Sequence, residues 1–173
     1  KIYAGTSRGV ARSTDAGTTW RSDVSALPTS AGLAPAIAVS SVLSLAIDPL
    51  GPTNVYAGTA QGLFKSFDAG KRWFLSSPGF DLVTTRTIAV DPITPAILYA
   101  GGDLGVYKST NGAATWNSVN GSLGNIFVRA LAVDPLTPTT VYAATAGGVY
   151  RTTTSGDFWF GFNLGLTSSL TFA

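Results

Sequence analysis

Cysteine, histidine, methionine and glutamate are all missing from this 173-residue chain. Without them no thiol nucleophile, Ser-His-Asp relay, His/Cys metal site or glutamate general acid can be assembled. Its nine acidic residues are all aspartates. Zero cysteines leave the redox compartment open, because an exported protein can also do without disulfides. Charge is sparse: 12% of residues are charged, the net charge is +2, and the eleven basic residues are scattered, with only Lys71 and Arg72 adjacent. No basic tract of the kind that nucleic acid or anionic lipid requires is present. The pI near 9.1 reflects a small excess of bases over few acids. No apolar run approaches the ~18 residues of a membrane-spanning helix. The most apolar stretch, 33–47, is broken by Pro35 and by serines. These absences set the expectation of no metal, no cofactor, no nucleic-acid partner and no membrane span. The chain opens on Lys1, which is expected of a processed product or a segment of something longer.

What the chain does contain is repetition. Trp20, Trp73, Trp116 and Trp159 are spaced by 53, 43 and 43 residues. Tyr3, Tyr56, Tyr99 and Tyr142 follow the same spacings, and Asp-Pro pairs recur at Asp48, Asp91 and Asp134. Three unrelated markers moving in register define a repeat of about 43 residues, with the extra ten in the first unit. Each unit reads as four short strands. The runs LAIDP, IAVDP and LAVDP are compact and apolar, and end in a Pro-dense reversal. NVYAGT, ILYAGG and TVYAAT are β-branched and aromatic; GLFKS, GVYKS and GVYRT each open on a glycine; a Trp-bearing segment such as KRWFLSS or ATWNSVN closes the unit. No window carries a useful helical period. A four-stranded antiparallel unit repeated at this length is a β-propeller blade, which buries its faces only against neighbours. The expected organisation is a single all-β domain or propeller segment over 1–173. Its blades are expected at about 41–77, 86–120 and 129–163, with a fourth split between 1–28 and 168–173. The terminal SLTFA would supply the strand that the first residues lack. A closed four-bladed ring, an arc of a larger ring, and an arc completed by a second chain all fit this pattern.

The octapeptides STDAGTTW and SFDAGKRW resemble the Asp-box, Ser-x-Asp-x-Gly-x-x-Trp, of the BNR repeat family. That family includes sialidases, sortilin-type receptor domains, xyloglucanase-type glycoside hydrolases and photosystem II assembly factors. Ser13, Asp15, Gly17 and Trp20 match fully, as do Ser66, Asp68, Gly70 and Trp73. The third copy carries Asn111 for Asp and Ala113 for Gly ahead of Trp116; the fourth keeps only Gly156 and Trp159. The resemblance implies a turn between third and fourth strands, on the face opposite the ligand site. A structural role follows physically: the Asp accepts amide hydrogen bonds two or three residues on, and Gly completes the turn with positive φ. Trp buries apolar area between adjacent blades. Asn imitates the Asp acceptor. Arg12, Lys65, Lys108 and Arg151 recur one residue before each box and are expected to lay their stems over a blade with solvated heads.

Repeated residues are scaffold, so specificity is expected where the units differ. The ligand face of a propeller is built from second-to-third strand loops and the links between blades. Candidate ligand-binding residues there are Arg8, Gln61, Asp81, Arg86, Asp103 and Arg129, with Asp23, Phe80 and Phe127 close by in sequence. Arg86 and Arg129 occupy equivalent positions, five before their Asp-Pro, and two arginines there would take a carboxylate or sugar acid bidentately. The plainer alternative is that they satisfy backbone carbonyls at the links. A sialidase resemblance would imply a tyrosine nucleophile with a glutamate partner, which this chain cannot supply. A two-carboxylate glycosidase would draw on Asp23, Asp81 and Asp103, about 5–10 Å apart across a sugar. The preferred expectation is a non-catalytic binding or scaffold module for a protein or glycan, in an extracellular or cell-envelope setting. The alternative is a glycoside hydrolase-type propeller or a fragment of one. Residues 30–39, SAGLAPAIAV, serve either as a contact element or as a cap over an open edge. Self-association to close the ring is a further expectation.

Overall fold

In the computed structural model the chain is all-β, and the structure describes residues 1–22, 41–76, 78–79 and 84–167. Among them no helix forms, and none is long and apolar enough to cross a membrane. Three sheets are four-stranded and antiparallel. Their strands are β4 (Val42–Ile47) to β7 (Phe74–Leu75), β8 (Thr85–Val90) to β11 (Asn117–Ser118), and β12 (Val128–Val133) to β15 (Phe160–Gly161). The first sheet has three strands among the described residues: β1 (Ile2–Thr6), β2 (Gly9–Ser13) and β3 (Arg21–Ser22). Each pairing joins chain neighbours, as blades require, and the sheets pack in chain order with β4, β8 and β12 side by side. The expected strand from 168–173, and the insertion 30–39, lie outside the described residues.

The third strands β2, β6 (Gly62–Ser66), β10 (Gly105–Ser109) and β14 (Gly148–Thr152) all open on a glycine at φ between 105° and 117°, as read from the sequence. The fourth strands differ from the sequence reading. They span only two residues each, and the tryptophan precedes the strand instead of lying in it. The reason is visible at the backbone. The Trp116 amide donates to Pro78 O at 3.0 Å and the Trp159 amide to Ser122 Oγ at 2.6 Å, so these groups bond the inter-sheet link and not the ladder.

One turn geometry serves all four octapeptides. The buried hydroxyls of Ser13, Ser66, Ser109 and Thr152 accept the amide hydrogen four residues on, at 2.8, 2.8, 2.9 and 3.1 Å. Two residues beyond each, Asp15, Asp68, Asn111 and Thr154 accept the amides of Thr19, Arg72, Thr115 and Phe158 at 2.9, 2.8, 2.9 and 3.1 Å. The fourth octapeptide has lost two of the four consensus residues, Ser and Asp, but neither bond, because a threonine hydroxyl offers the same acceptor. One expectation is corrected: the aspartate reaches mainly four residues on. Gly17, Gly70 and Gly156 take positive φ as expected, and the left-handed stretch begins one residue earlier in each turn, at Ala16, Ala69, Gly112 and Ser155 (57° to 67°).

That left-handed pair turns a carbonyl toward the neighbouring sheet. The Tyr3 hydroxyl and Arg12 Nη1 both donate to Ala69 O, at 3.1 and 3.3 Å. Lys65 Nζ donates to Gly112 O at 2.8 Å, and the Tyr99 hydroxyl to Ser155 O at 3.2 Å. Arg12 and Lys65 are thus seam residues whose heads are engaged, not solvated; burial holds the Lys65 ammonium below its ordinary pKa, with Asp48 opposing. Trp73 packs with Tyr3 and Val10, Trp116 with Tyr56 and Leu63, and Trp159 with Tyr99 and Val106, always against the preceding sheet. Trp20 has no preceding sheet among the described residues and is 45% exposed, which corrects the expectation that every tryptophan is buried. The innermost strands approach closely at three glycines: a Cβ on Gly5, Gly58 or Gly101 would come within 2.8 Å of Val42, 2.6 Å of Thr85 and 2.6 Å of Val128.

Asp48, Asp91 and Asp134 hold their own turns, each accepting two amides: Leu50 and Gly51, Ile93 and Thr94, Leu136 and Thr137, at 2.8 to 3.0 Å. The two turn families share one end of the sheets, joined by Ala69 N to Thr53 O at 2.8 Å and by Ser155 N to Thr139 O at 2.8 Å.

Truncation at the seam is expected to cost more than truncation at the turn. Trp116→Ala should lose about 3–5 kcal/mol in urea unfolding. Ser109→Ala, which strands the buried Ala113 amide, should lose about 1–3 kcal/mol. Acid should act on only half of the turns. Hydrogen bonds, first from the Thr19 hydroxyl, hold the Asp15 carboxyl down to about 2 from 3.8. For Asp68, partial burial alone would raise the pKa, but the Arg72 amide, the Ser66 hydroxyl and the Lys71 amide outweigh it and lower it. A depressed carboxylate stabilises the fold above its unfolded pKa, and that support is lost as pH falls through the folded value. Between pH 4 and 2 the Thr19 and Arg72 amide resonances should therefore shift in NMR spectra, while those of Thr115 and Phe158, bonded to Asn111 and Thr154, stay fixed.

Candidate functional site: an arginine cleft at the inner strands

Each innermost strand carries one extra residue near its start. The pairing of β4 with β5 (Val55–Thr59) skips between Val42 and Ser44; β8 with β9 (Leu98–Gly102) skips between Thr85 and Thr87; β12 with β13 (Val141–Thr145) skips between Val128 and Ala130. The extra residues are Leu43, Arg86 and Arg129, one per sheet, in the same repeat position. A bulge re-aims the side chain it carries, and here it directs three consecutive sheets toward one place. These strand starts lie at the end opposite the octapeptide turns, since the turns sit where β4, β8 and β12 finish.

Leu43, Arg86, Phe127 and Arg129 line a cleft of about 440 Å³. The Phe127 ring contacts both cations, 4.8 Å from Arg86 Cζ and 5.5 Å from Arg129 Cζ. Guanidinium planes stack on aromatic rings, so the ring fixes two like charges side by side at the mouth of the cleft. Arg86 Nε also pairs with Asp103 Oδ1 at 2.7 Å, both side chains being 36% exposed. Asp103 comes from the β9–β10 turn, so one ion pair ties that turn to the first strand of its own sheet.

Of the residues read from the sequence, Arg86, Asp103 and Arg129 are brought together. Arg8 and Gln61 occupy the equivalent turns of the first and second sheets, where their amides donate to Thr6 Oγ1 and Thr59 Oγ1, both at 3.0 Å. Neither is among the described residues that line the cleft. Asp23, Phe80 and Asp81 lie outside the described residues. Leu43 was missed, although it stands five before Asp48 just as the arginines stand five before Asp91 and Asp134. Phe127 was legible only as an available aromatic; nothing local shows that its ring contacts two arginines. With a bidentate ligand in mind, Arg129→Ala is expected to leave urea stability within about 1 kcal/mol of wild type, as a partly exposed charge should. The same change should release Phe127, read as loss of ring-current shifts in the NMR spectrum.

No protein-family model matches this sequence, and no curated protein matches it. Solved structures do. An ancestral GH74 enzyme superposes with a TM-score of 0.74 at 22% identity over 92% of this chain and 22% of its own. The extracellular domain of BT4673 from B. thetaiotaomicron gives 0.66 at 21% identity, over 87% and 19%. YCF48 from Cyanidioschyzon merolae gives 0.53 at 15% identity, over 70% and 36%, and a structure of YCF48 bound to D1 peptide also matches. The chain spans between about a fifth and two fifths of these proteins. At such identities the likeness concerns the fold: the chain is built as a blade-based β-propeller of antiparallel sheets.

Proposed function

We propose that this chain is a non-catalytic β-propeller binding module that takes an anionic group, a carboxylate of a protein or of a glycan, in the Arg86–Arg129 cleft. The observation that carries the reading is the placement of two guanidinium groups by equivalent bulges of adjacent sheets, both stacked on Phe127. Fixed forks of this kind match a carboxylate with two parallel hydrogen bonds. YCF48, seen bound to D1 peptide, supports a protein ligand for a propeller of this type. The octapeptides fit Asp-box turns of BNR repeats, because all four hold the same pair of bonds despite their substitutions. Blades at 41–77, 86–120 and 129–163 fit the three complete sheets. An extracellular or cell-envelope setting is part of the proposal, supported by the likeness to the extracellular domain of BT4673.

The test is calorimetric titration with acidic peptides and with uronic-acid oligosaccharides, each against a neutral counterpart. Binding should be confined to the acidic member, weaken with salt, and fall about ten- to a hundredfold in Arg86→Ala or Arg129→Ala. Equal binding of neutral and acidic members would overturn the reading.

A second reading, a piece of a glycoside hydrolase, is favoured by the GH74 likeness. It requires a carboxyl free to donate a proton beside a second one. Asp103 is instead committed to Arg86. No hydrolysis of sialosides or β-glucans is expected in a reducing-sugar assay. Turnover that disappears in Asp103→Ala or Asp81→Ala would replace the binding reading with this one.

A further inference from the structure

The seam between sheets is made three times within the chain from the same two halves. The trailing half is the Trp side of a sheet: Val55, Ala57 and Trp73, then Leu98, Ala100 and Trp116, then Val141, Ala143 and Trp159, all buried. The leading half is the Tyr side: Val10, Tyr56 with Leu63, and Tyr99 with Val106, also buried. Among the described residues each half appears once more without its mate. On the first sheet, Ile2 and Trp20, the counterparts of Val55 and Trp73, are 43% and 45% exposed. On the last sheet, Tyr142 and Val149, the counterparts of Tyr99 and Val106, are only half-buried.

From this we infer that the Trp20 face of one copy docks on the Tyr142–Val149 face of a second copy, head to tail, as a fourth instance of the same seam. The polar half of the seam is provided for as well. Tyr142 and Arg151 stand where Tyr3 and Arg12 stand before they donate to Ala69 O, and the exposed turn at Ala16 carries the equivalent carbonyl at φ 58°. Trp116 and Trp159 send their indole N–H to Ser76 O and Val119 O of the preceding sheet, both at 2.8 Å; Phe162 is the residue in that position for Trp20 of the second copy.

Two departures from the repeat argue for a second copy over one more ordinary blade. Gly5, Gly58 and Gly101 let the innermost strand of the next sheet approach, but the fourth sheet has Ala144 there, whose methyl would meet such a strand. The first sheet begins at β1 and has no innermost strand among the described residues, so Ala144 is tolerated against it. The last strand region also replaces Thr115, Asn117 and Val119 with Phe158, Phe160 and Phe162, each about half exposed. Phe162 lies 6.2 Å from the Tyr142 ring and under Arg151 at 4.9 Å, on the leading face itself. Phe160 matches the equally exposed Phe74 of the second sheet, whereas Phe158 and Phe162 are aromatic only on the last sheet of the described residues.

A seam of unlike halves is heterologous, so each half can be disabled separately. In sedimentation velocity the wild-type chain should form a dimer or larger species with rising concentration. Trp20→Asp and Val149→Asp, each with unchanged circular dichroism, should be monomeric alone and form a one-to-one dimer when mixed. A wild type that stays monomeric, including by closing on itself, overturns the inference, as does a mixture that stays monomeric. Where either variant misfolds, acrylamide quenching of the wild type decides. Trp73, Trp116 and Trp159 are buried, so the accessible fraction reports Trp20. That fraction should fall as concentration rises; a constant fraction overturns the inference. The outcome is independent of the arginine cleft, which is lined from the starts of β4, β8 and β12 and includes neither Trp20 nor Val149.

Discussion

The carbonyl that each octapeptide turn presents to the preceding sheet is the contact on which the rest of this architecture depends. A short twisted sheet with two apolar faces gains nothing by itself; it is stable only when both faces are covered. The turn meets that need by holding two successive residues at positive φ, which aims the carbonyl of Ala69, Gly112 or Ser155 at a Tyr, Arg or Lys of the neighbour. The same turn delivers Trp73, Trp116 and Trp159 into the apolar layer beneath. Polar and apolar halves of the seam are thus fixed by a single local structure. A hydroxyl and an adjacent side-chain oxygen are all it demands, which is why Asn111 and Thr154 serve as well as aspartate.

Stacking then sets the position of the site. Sheets pressed together at Gly5, Gly58 and Gly101 bring β4, β8 and β12 side by side. Their bulged residues fall on one side of the stack, at the end away from the turns. The arginines owe their proximity to this geometry and to Phe127, whose ring takes both guanidinium groups. Asp103 offsets one of them. Among the described residues, the carboxylate beside the cleft, Asp103, is matched to Arg86.

Much of the scaffold was legible because a repeat tests every assignment several times over. The third strands fall where GLFKS, GVYKS and GVYRT predicted. The tryptophans were read as interblade residues, and three of four are. What failed depended on a neighbour: Trp20 carries the same local signal as Trp73 but among the described residues lacks the sheet that would cover it, and Arg12 and Lys65 read as solvated heads because their carbonyl acceptors belong to the next unit. The fourth strands were overestimated because the Trp116 and Trp159 amides bond the links.

For the site, sequence distinguished Arg86 and Arg129 by position, five before Asp-Pro, and Asp103 by its loop. It had no means of pairing Arg86 with Asp103, seventeen residues away, or of admitting Leu43 to the same layer. The sequence by itself determined the unit: its strands, its turns and the residue types that make them, since these arise from contacts within about 43 residues. Only the tertiary structure decided which faces are covered, which charges meet and where the bulges aim, since those depend on how one unit stacks on the next.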